Sequence, residues 1–130
     1  MKAILSIKSE YVERIFAGTK KYEFRKQIFQ RDVDEILIYE TAPTMRVVGK
    51  FTFEKILVNT PEKIWDETKE FSGIDFDSYM EYFRSKEIAY AIKIKEVTKY
   101  KKAQPLKVIA PELKMPPQSF AYVQQNERGK

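Results

Sequence analysis

The sequence of 130 residues contains neither cysteine nor histidine. Without cysteine there are no disulfides and no thiolate nucleophiles, and without either residue type almost every kind of zinc site is excluded. Imidazole, the most frequent general base in enzymes, is missing as well. Any catalysis must therefore use carboxylates, lysines, hydroxyls or tyrosines. Because no tight group of Asp and Glu stands out, we expect no metal and no cofactor.

Long apolar runs are also absent, and no segment approaches the roughly 20 residues that span a bilayer. The first residues, MKAILSIKSEYVERIF, carry charged side chains too early for a signal peptide. We therefore expect no membrane partner, a cytoplasmic location and, by default, a monomer. The length suits one domain with a single core, which we place at residues 1–123. The polar segment 124–130 is expected to fray.

Positive charge is in excess, with 24 Lys and Arg against 19 Asp and Glu, a formal net charge of +5 and a pI of about 9.3. A basic domain attracts polyanions, of which nucleic acid is the most common in cytosol. The lysines within residues 98–107 form a candidate strip for phosphate contacts. Such a run is also typical of an ordinary solvated face, so charge alone leaves both interpretations open.

Alternation of apolar and polar residues predicts strands at 3–8, 22–26, 35–41, 46–58 and 88–100. In the last of these, the residues expected to face inward are Ile88, Tyr90, Ile92 and Ile94. Helical spacing predicts a helix from a Ser9 N-cap to Gly18, and two more over residues 60–73 and 75–86.

Gly49 suggests a bulge or bend in its strand. The aromatic end of the tail segment PLKVIAPELKMPPQSFAYV could form a last edge strand. The order β-α-β-β-β-α-α-β-(β) predicts an α+β protein built on a small mixed β-barrel of five to six strands. Its short helices are expected to pack at the ends of the barrel.

The stretch GTKKYEFRK concentrates charge next to a glycine. Glu23 and Arg25 are two residues apart on a strand, so both project from one face, and Lys20 can swing toward them from the turn after Gly18. A guanidinium can pair with a phosphate or stack on a ring, and a carboxylate can accept a hydrogen bond from an exocyclic amine of a base. The alternative is an ion pair on a solvated sheet face.

The pattern Gly18-x-Lys20-x-x-Glu23-x-Arg25, which follows the strand LSIK and a short helix, resembles that of the ASCH domain family. The similarity extends to EILIYET, to the glycine-containing strand after it and to PPQSFAY, and covers roughly residues 2–123. The resemblance implies a barrel similar to the PUA domain, with a cleft near the junction of helix and strand. PUA-like domains are mostly RNA binders or readers of modified bases.

One branch of the family is similar to an amidohydrolase that acts on N4-acylated cytidines with a lysine, a threonine and a glutamate. The lysine of that branch corresponds to Lys20, while Glu23, which has no hydroxyl, occupies the threonine position. Several acidic residues between Glu54 and Glu87 are candidates for the third member. Another ASCH protein is a ribonuclease, so nuclease activity is a further possibility. If the chain is an enzyme, we expect Lys20 and Glu23 to be catalytic.

The ligand-binding residues that we expect besides the motif are Ser6, Lys8, Tyr39, Gln118 and Ser119. Ser6 and Lys8 share one side of the first strand, and Tyr39 ends a buried strand where its ring could stack on a base. Gln118 and Ser119 follow a stiff proline pair. The favoured function is an RNA- or nucleotide-binding module, with nucleosides as related ligands and a regulatory role in transcription or translation. The alternatives are the amidohydrolase, the ribonuclease and an interaction domain without a nucleic-acid ligand.

Overall fold

The protein is described here by a computed structural model covering residues 1–123, so the predicted frayed tail at 124–130 lies outside the described residues. The strands are β1 Lys2–Ile7, β2 Tyr22–Arg25, β3 Glu35–Glu40, β4 Arg46–Asn59, β5 Ala89–Gln104 and β6 Phe120–Val123. The helices are α1 Ser9–Ala17, α2 Pro61–Thr68, α3 Phe76–Tyr82 and α4 Leu106–Ile109, with a 3-10 turn at Lys69–Phe71.

Across residues 1–123 the strands form one curled sheet, a half-barrel with the order β2-β5-β4-β3-β1-β6. Strands β1 and β3 run parallel, and the other neighbours are antiparallel. The two edge strands are short, with four residues each in β2 and β6. This architecture confirms the α+β, PUA-like prediction, and the predicted elements occur in the predicted order, with the short helix α4 as an unpredicted addition before β6. In the described part of the chain, no helix is both long and apolar enough to cross a bilayer.

Aromatic packing fixes the helices next to β2. Phe24 of β2 contacts Tyr79 and Phe83 of the α3 region edge-on, at centroid distances of 5.1 and 6.4 Å. Ile64 of α2 and Ala91 of β5 complete this buried cluster. Because aromatic pairs of this kind combine large buried area with preferred geometry, they hold α2 and α3 firmly against the strand that carries the charged motif.

The predicted irregularity at Gly49 is present. Ile38 pairs with Gly49 but Tyr39 pairs with Val47, so β4 has one residue more than β3 at this point. A side chain at Gly49 would collide with the backbone oxygen of Thr98 on β5. Only glycine allows this close approach of the two backbones, and the bulge bends the sheet as expected.

Three local predictions were wrong. Helix α1 begins at Ser9 with Lys8 as its N-cap, and the Ser9 hydroxyl is buried without a hydrogen-bond partner among the described residues. The predicted helix over 60–73 leaves α-geometry after Thr68, and a 3-10 turn continues it. Ile88, which was predicted to face inward, precedes β5 and is 44% exposed. Ala89, on the face of β5 that alternation assigns to solvent, is buried because α2 and α3 cover that face.

Candidate functional site

The charged side chains of the motif lie inside the protein. Lys20, Glu23 and Arg25 are only 3%, 5% and 8% exposed. Glu23 and Arg25 do project from the same face of β2, and their side chains form an ion pair with 3.1 Å between Arg25 Nη1 and Glu23 Oε2. The alternative of an ion pair on a solvated face is therefore wrong. Charged groups this deeply buried need partners, because desolvation is costly.

Arg25 connects three parts of the chain. Its Nη2 donates to the backbone oxygen of Ser119 at 2.9 Å and to the Ser119 hydroxyl at 3.0 Å. Its Nη1 also approaches the Ser6 carbonyl oxygen at 3.5 Å, in addition to bonding Glu23. Arg25 thereby joins β2, one edge of the sheet, to the segment that enters β6, the other edge. Its Nε is buried and has no hydrogen-bond partner in residues 1–123.

Lys20 occupies an unusual position for a lysine. Its Nζ donates to the Ser72 carbonyl oxygen at 2.8 Å and lies over the rings of Phe24 and Tyr11, at 4.6 and 5.3 Å from their centroids. The pKa of Lys20 is lowered to about 8, mainly by burial; the carboxylate of Glu23 works in the opposite direction, and the cation of Arg14 adds to the lowering. About half of the amine is therefore neutral at pH 8, and about a tenth at pH 7.

The loop after the 3-10 turn holds Lys20 in place. Gly73 has a φ of +68°, and a side chain there would collide with the aliphatic stem of Lys20. Arg14 Nη1 donates to the Gly73 carbonyl oxygen at 2.8 Å, and the backbone N–H of Lys21 donates to the Phe71 carbonyl oxygen at 2.9 Å. Residues far apart in the chain thus hold the lysine in place.

The three charged residues line an open cleft of about 1060 Å³ between the edge of the sheet and α3. The start of α1, α3 and the segment before β6 all contribute residues to its lining. Besides the motif, its lining consists of Ser6, Ile7, Lys8, Glu10, Tyr11, Phe24, Lys26, Gln27, Thr41, Ile74, Asp77, Ser78, Glu81, Tyr82, Lys86, Gln118 and Ser119.

The structure brings most of the predicted ligand-binding residues together. Ser6, Lys8, Gln118 and Ser119 line the same cleft as the charged motif. Ser6 also donates from its hydroxyl to the Pro117 carbonyl oxygen at 2.7 Å, which fixes the segment carrying Gln118 and Ser119 against β1. The proline pair is therefore anchored to β1, and the two residues after it supply polar groups to the cleft.

Tyr39 is the predicted site residue that the structure places elsewhere. It is 3% exposed and packs with Ile4, Leu37 and Val47 in a core cluster. It does not line the cleft. Its position at the end of a buried strand fits a core residue, and we leave it out of the proposed site.

Sequence reasoning missed the wall formed by α3. Asp77, Ser78, Glu81 and Tyr82 face the cleft, while Tyr79 on the same helix is fully buried. The signal was in the sequence, because positions i, i+1, i+4 and i+5 form the helix face opposite the apolar one. Burial raises the pKa of Tyr82, and the nearby Arg25 lowers it in part, so its phenol stays a hydrogen-bond donor at neutral pH.

A curled six-stranded sheet with a polar cleft beside its first helix defines a PUA-like α+β domain. The family model of the ASCH domain matches residues 5–98, and the chain belongs to this family. The crystal structure of ASCH from Zymomonas mobilis is similar, with a TM-score of 0.86, 26% identity and coverage of 95% of this chain and 88% of that one. A single-residue variant of that protein matches at 25% identity and the same TM-score, covering 95% and 91% of the two chains.

Curated relatives contain similar segments within longer proteins. ATP synthase subunit alpha of Ureaplasma parvum is 35% identical over 104 residues, which are 79% of this chain and 13% of that protein. Large ribosomal subunit protein uL22 of the same species is 32% identical over 71 residues, or 55% of this chain and 23% of that protein. The chain thus spans less than a quarter of the length of these relatives.

Proposed function

We propose that this ASCH domain binds RNA or a nucleotide in the cleft, with Lys20, Glu23 and Arg25 at its floor. The observation that carries the proposal is the buried cluster of charges in an open cavity. A buried ammonium with a lowered pKa destabilises the fold at neutral pH, since desolvation opposes its charged form. Strongly shifted groups of this kind, placed in a cleft, are typical of functional sites.

The cleft offers the groups that recognise a base. The Glu23 carboxylate, which lines the cleft, can accept a hydrogen bond from an exocyclic amine of a base. Tyr11 and Tyr82 contribute aromatic rings to the lining, and such rings are suited to stacking on a base. Lys8 and Lys26 supply cations for a phosphate. The Nζ of Lys26 lies over the Tyr82 ring at 4.6 Å from its centroid.

Charge outside the cleft supports RNA as the ligand. Lys95, Lys99, Lys101 and Lys102 lie on the exposed second half of β5, and no carboxylate of the described residues pairs with them within 4.0 Å. They form a positive surface that can contact phosphates along a strand. A similar segment also occurs in a relative named as a large ribosomal subunit protein, which fits an RNA ligand.

Lys20→Met is expected to abolish binding of cytidine nucleotides and short single-stranded RNAs while the fold is retained or stabilised. Methionine fills the volume of the buried stem without its charge, so a loss of affinity reports the ligand contact and not unfolding. Fluorescence anisotropy with labelled RNA and a thermal melt of each sample measure both quantities. Exposed Lys69→Met is the control. Unchanged affinity of Lys20→Met would contradict the site.

Salt dependence gives an independent readout of the same binding. For single strands the logarithm of the association constant falls with the logarithm of salt concentration by about 0.7 per phosphate contacted. The combined variant Lys99→Ala, Lys101→Ala and Lys102→Ala is expected to reduce this slope without abolishing nucleotide binding. A slope that is flat in the unmodified protein would contradict phosphate-driven RNA binding.

A second candidate function is hydrolysis of N4-acylated cytidines, favoured by the lowered pKa of Lys20, about 8. The neutral amine can take a proton from water as the water oxygen attacks the amide carbonyl. The same proton, returned to the leaving nitrogen, releases cytidine and the carboxylic acid. Glu23 can hold the exocyclic nitrogen by accepting its N–H. A general base works best when its pKa lies near the working pH.

N4-acetylcytidine is therefore expected to yield cytidine and acetate if the domain is an enzyme, and Lys20→Met is expected to remove this activity. Chromatography of the nucleosides after incubation measures the reaction, and a 5′-labelled RNA in parallel tests for ribonuclease activity. Binding of N4-acetylcytidine without turnover of either substrate at pH 8 to 9 would contradict the enzyme and leave the binding module.

A further inference from the structure

A second depression adjoins the cleft. It measures about 330 Å³ and is lined by Lys26, Gln27, Ile28, Gln30, Tyr90 and Phe120. Lys26 and Gln27 line the cleft as well, so these two residues form a ridge between the two cavities. The other four residues belong to the second depression alone.

Arg25 explains why the two cavities are adjacent. In the pairing of β2 with β5, Arg25 lies opposite Tyr90. The Ser119 oxygens accept from Arg25, and Phe120 is the next residue. Arg25 faces the cleft, while its strand partner Tyr90 and the residue after Ser119, Phe120, line the second depression. Lys26 and Gln27 follow directly after β2 and lie between the two cavities.

The chemistry of the second depression suits a nucleobase. Gln27 and Gln30 are exposed amides that can both donate and accept along the edge of a base. Tyr90 and Phe120 supply half-buried aromatic surface. The Phe120 ring is held edge-on by Phe29 and Tyr122, at centroid distances of 5.5 and 5.6 Å, so it presents a fixed surface for stacking.

Charge separates the two cavities. The cleft has the carboxylates of Glu10, Glu23, Asp77 and Glu81 in its lining, whereas the lining of the second depression has one cation and no carboxylate. A phosphate on the ridge would therefore contact Lys26 and the Gln27 amide. The carboxylates of Asp77 and Glu81 on α3 line only the cleft. The ridge is the place along this path where an anion is least opposed.

We propose that the second depression binds the neighbouring nucleotide of a single strand whose first base occupies the cleft. The phosphate between the two nucleotides lies on the Lys26–Gln27 ridge. This inference rests on the proposed function of the cleft and deepens it. The preferred ligand is a strand of at least two nucleotides, with the second base held by stacking and by the amides.

Calorimetric titration of the full chain with cytidine monophosphate, the dinucleotide CpC and two abasic analogues of CpC tests the proposal. Each analogue lacks the base of one nucleotide but keeps the phosphate. We expect CpC to bind at least about fivefold tighter than either analogue, the lower end of what stacking of one base contributes. Gln30→Ala and Tyr90→Leu are expected to reduce this gain and to leave the affinity for cytidine monophosphate unchanged.

Gln104→Ala is the matched control, because this glutamine on the far end of β5 lines neither cavity. Exposed Gln30→Ala keeps the test decisive if Tyr90→Leu destabilises the fold. If the monophosphate binds but CpC and both analogues bind equally, the second site is wrong and the cleft function stands. A gain that survives both variants also overturns the second site. Absence of binding by every probe overturns the cleft function itself.

Discussion

Arg25→Ala is expected to lower the free energy of unfolding by about 3–5 kcal/mol, the range for breaking a buried ion pair by removing one partner. The substitution leaves the Glu23 carboxylate, which is 5% exposed, without its 3.1 Å partner. It also removes the hydrogen bonds to Ser119 that join the two edges of the sheet. Urea unfolding of the purified variant, monitored by tryptophan fluorescence, measures the change.

Two controls separate the buried pair from charge in general. Arg84→Ala breaks the ion pair between Arg84 and Glu81, whose side chains are 74% and 70% exposed respectively. This substitution is expected to change the free energy of unfolding by less than about 1 kcal/mol. The double variant Glu23→Leu with Arg25→Met replaces the pair by apolar groups and is expected to recover most of the loss. If Arg25→Ala costs no more than Arg84→Ala, the pair is solvated and the structural role assigned to Arg25 is wrong.

Between pH 8 and 10.5 the free energy of unfolding of the protein is expected to rise by about 3 kcal/mol relative to that of the Lys20→Met variant. The size follows from the lowering of the Lys20 pKa from 10.5 to about 8, at 1.36 kcal/mol for each pKa unit. In the unfolded chain Lys20 keeps its proton up to its ordinary pKa of 10.5, but in the folded chain it loses the proton near pH 8. The unfolded state therefore binds more protons within this window, so stability increases with pH. Below pH 8 both states are protonated and the difference is constant.

The measurement is the free energy of unfolding of both proteins at several pH values from 7 to 10.5. Taking the difference between them cancels the titration of the tyrosines and the other lysines. Lys69→Met, at a lysine whose side chain is 60% exposed, is the control and is expected to give a difference curve without this rise. A flat curve for Lys20→Met would show that the ammonium is solvated in the folded state.

Together these variants assign different roles to the members of the cluster. Arg25 has both terminal nitrogens engaged by protein atoms, so its removal is expected to affect folding first. Lys20 makes one hydrogen bond, to Ser72, and its charge opposes folding at neutral pH. Lys20 is therefore a better probe of function than Arg25. Its replacement is not expected to destabilise the fold, so a loss of ligand binding can be separated from unfolding.

The sequence by itself determined the order of the elements and the bend at Gly49. Alternation with a period of two and helical spacing depend on local geometry, which is why they predicted the strands and most of the helices. The absence of cysteine and histidine limited the possible chemistry in the same direct way. The motif around Lys20 and its resemblance to the ASCH family predicted a candidate site at β2 and the turn before it.

Only the tertiary structure decided that Lys20, Glu23 and Arg25 are buried. Alternation tells which side chains share a face of a strand, but not what covers that face. The covering groups are Ser72, 52 residues from Lys20, and Ser119, 94 residues from Arg25. Alternation also could not place Tyr39: at the end of a buried strand it was predicted to stack on a base, but it packs in the core. Burial depends on contacts between distant segments, and periodicity within one segment carries no information about them.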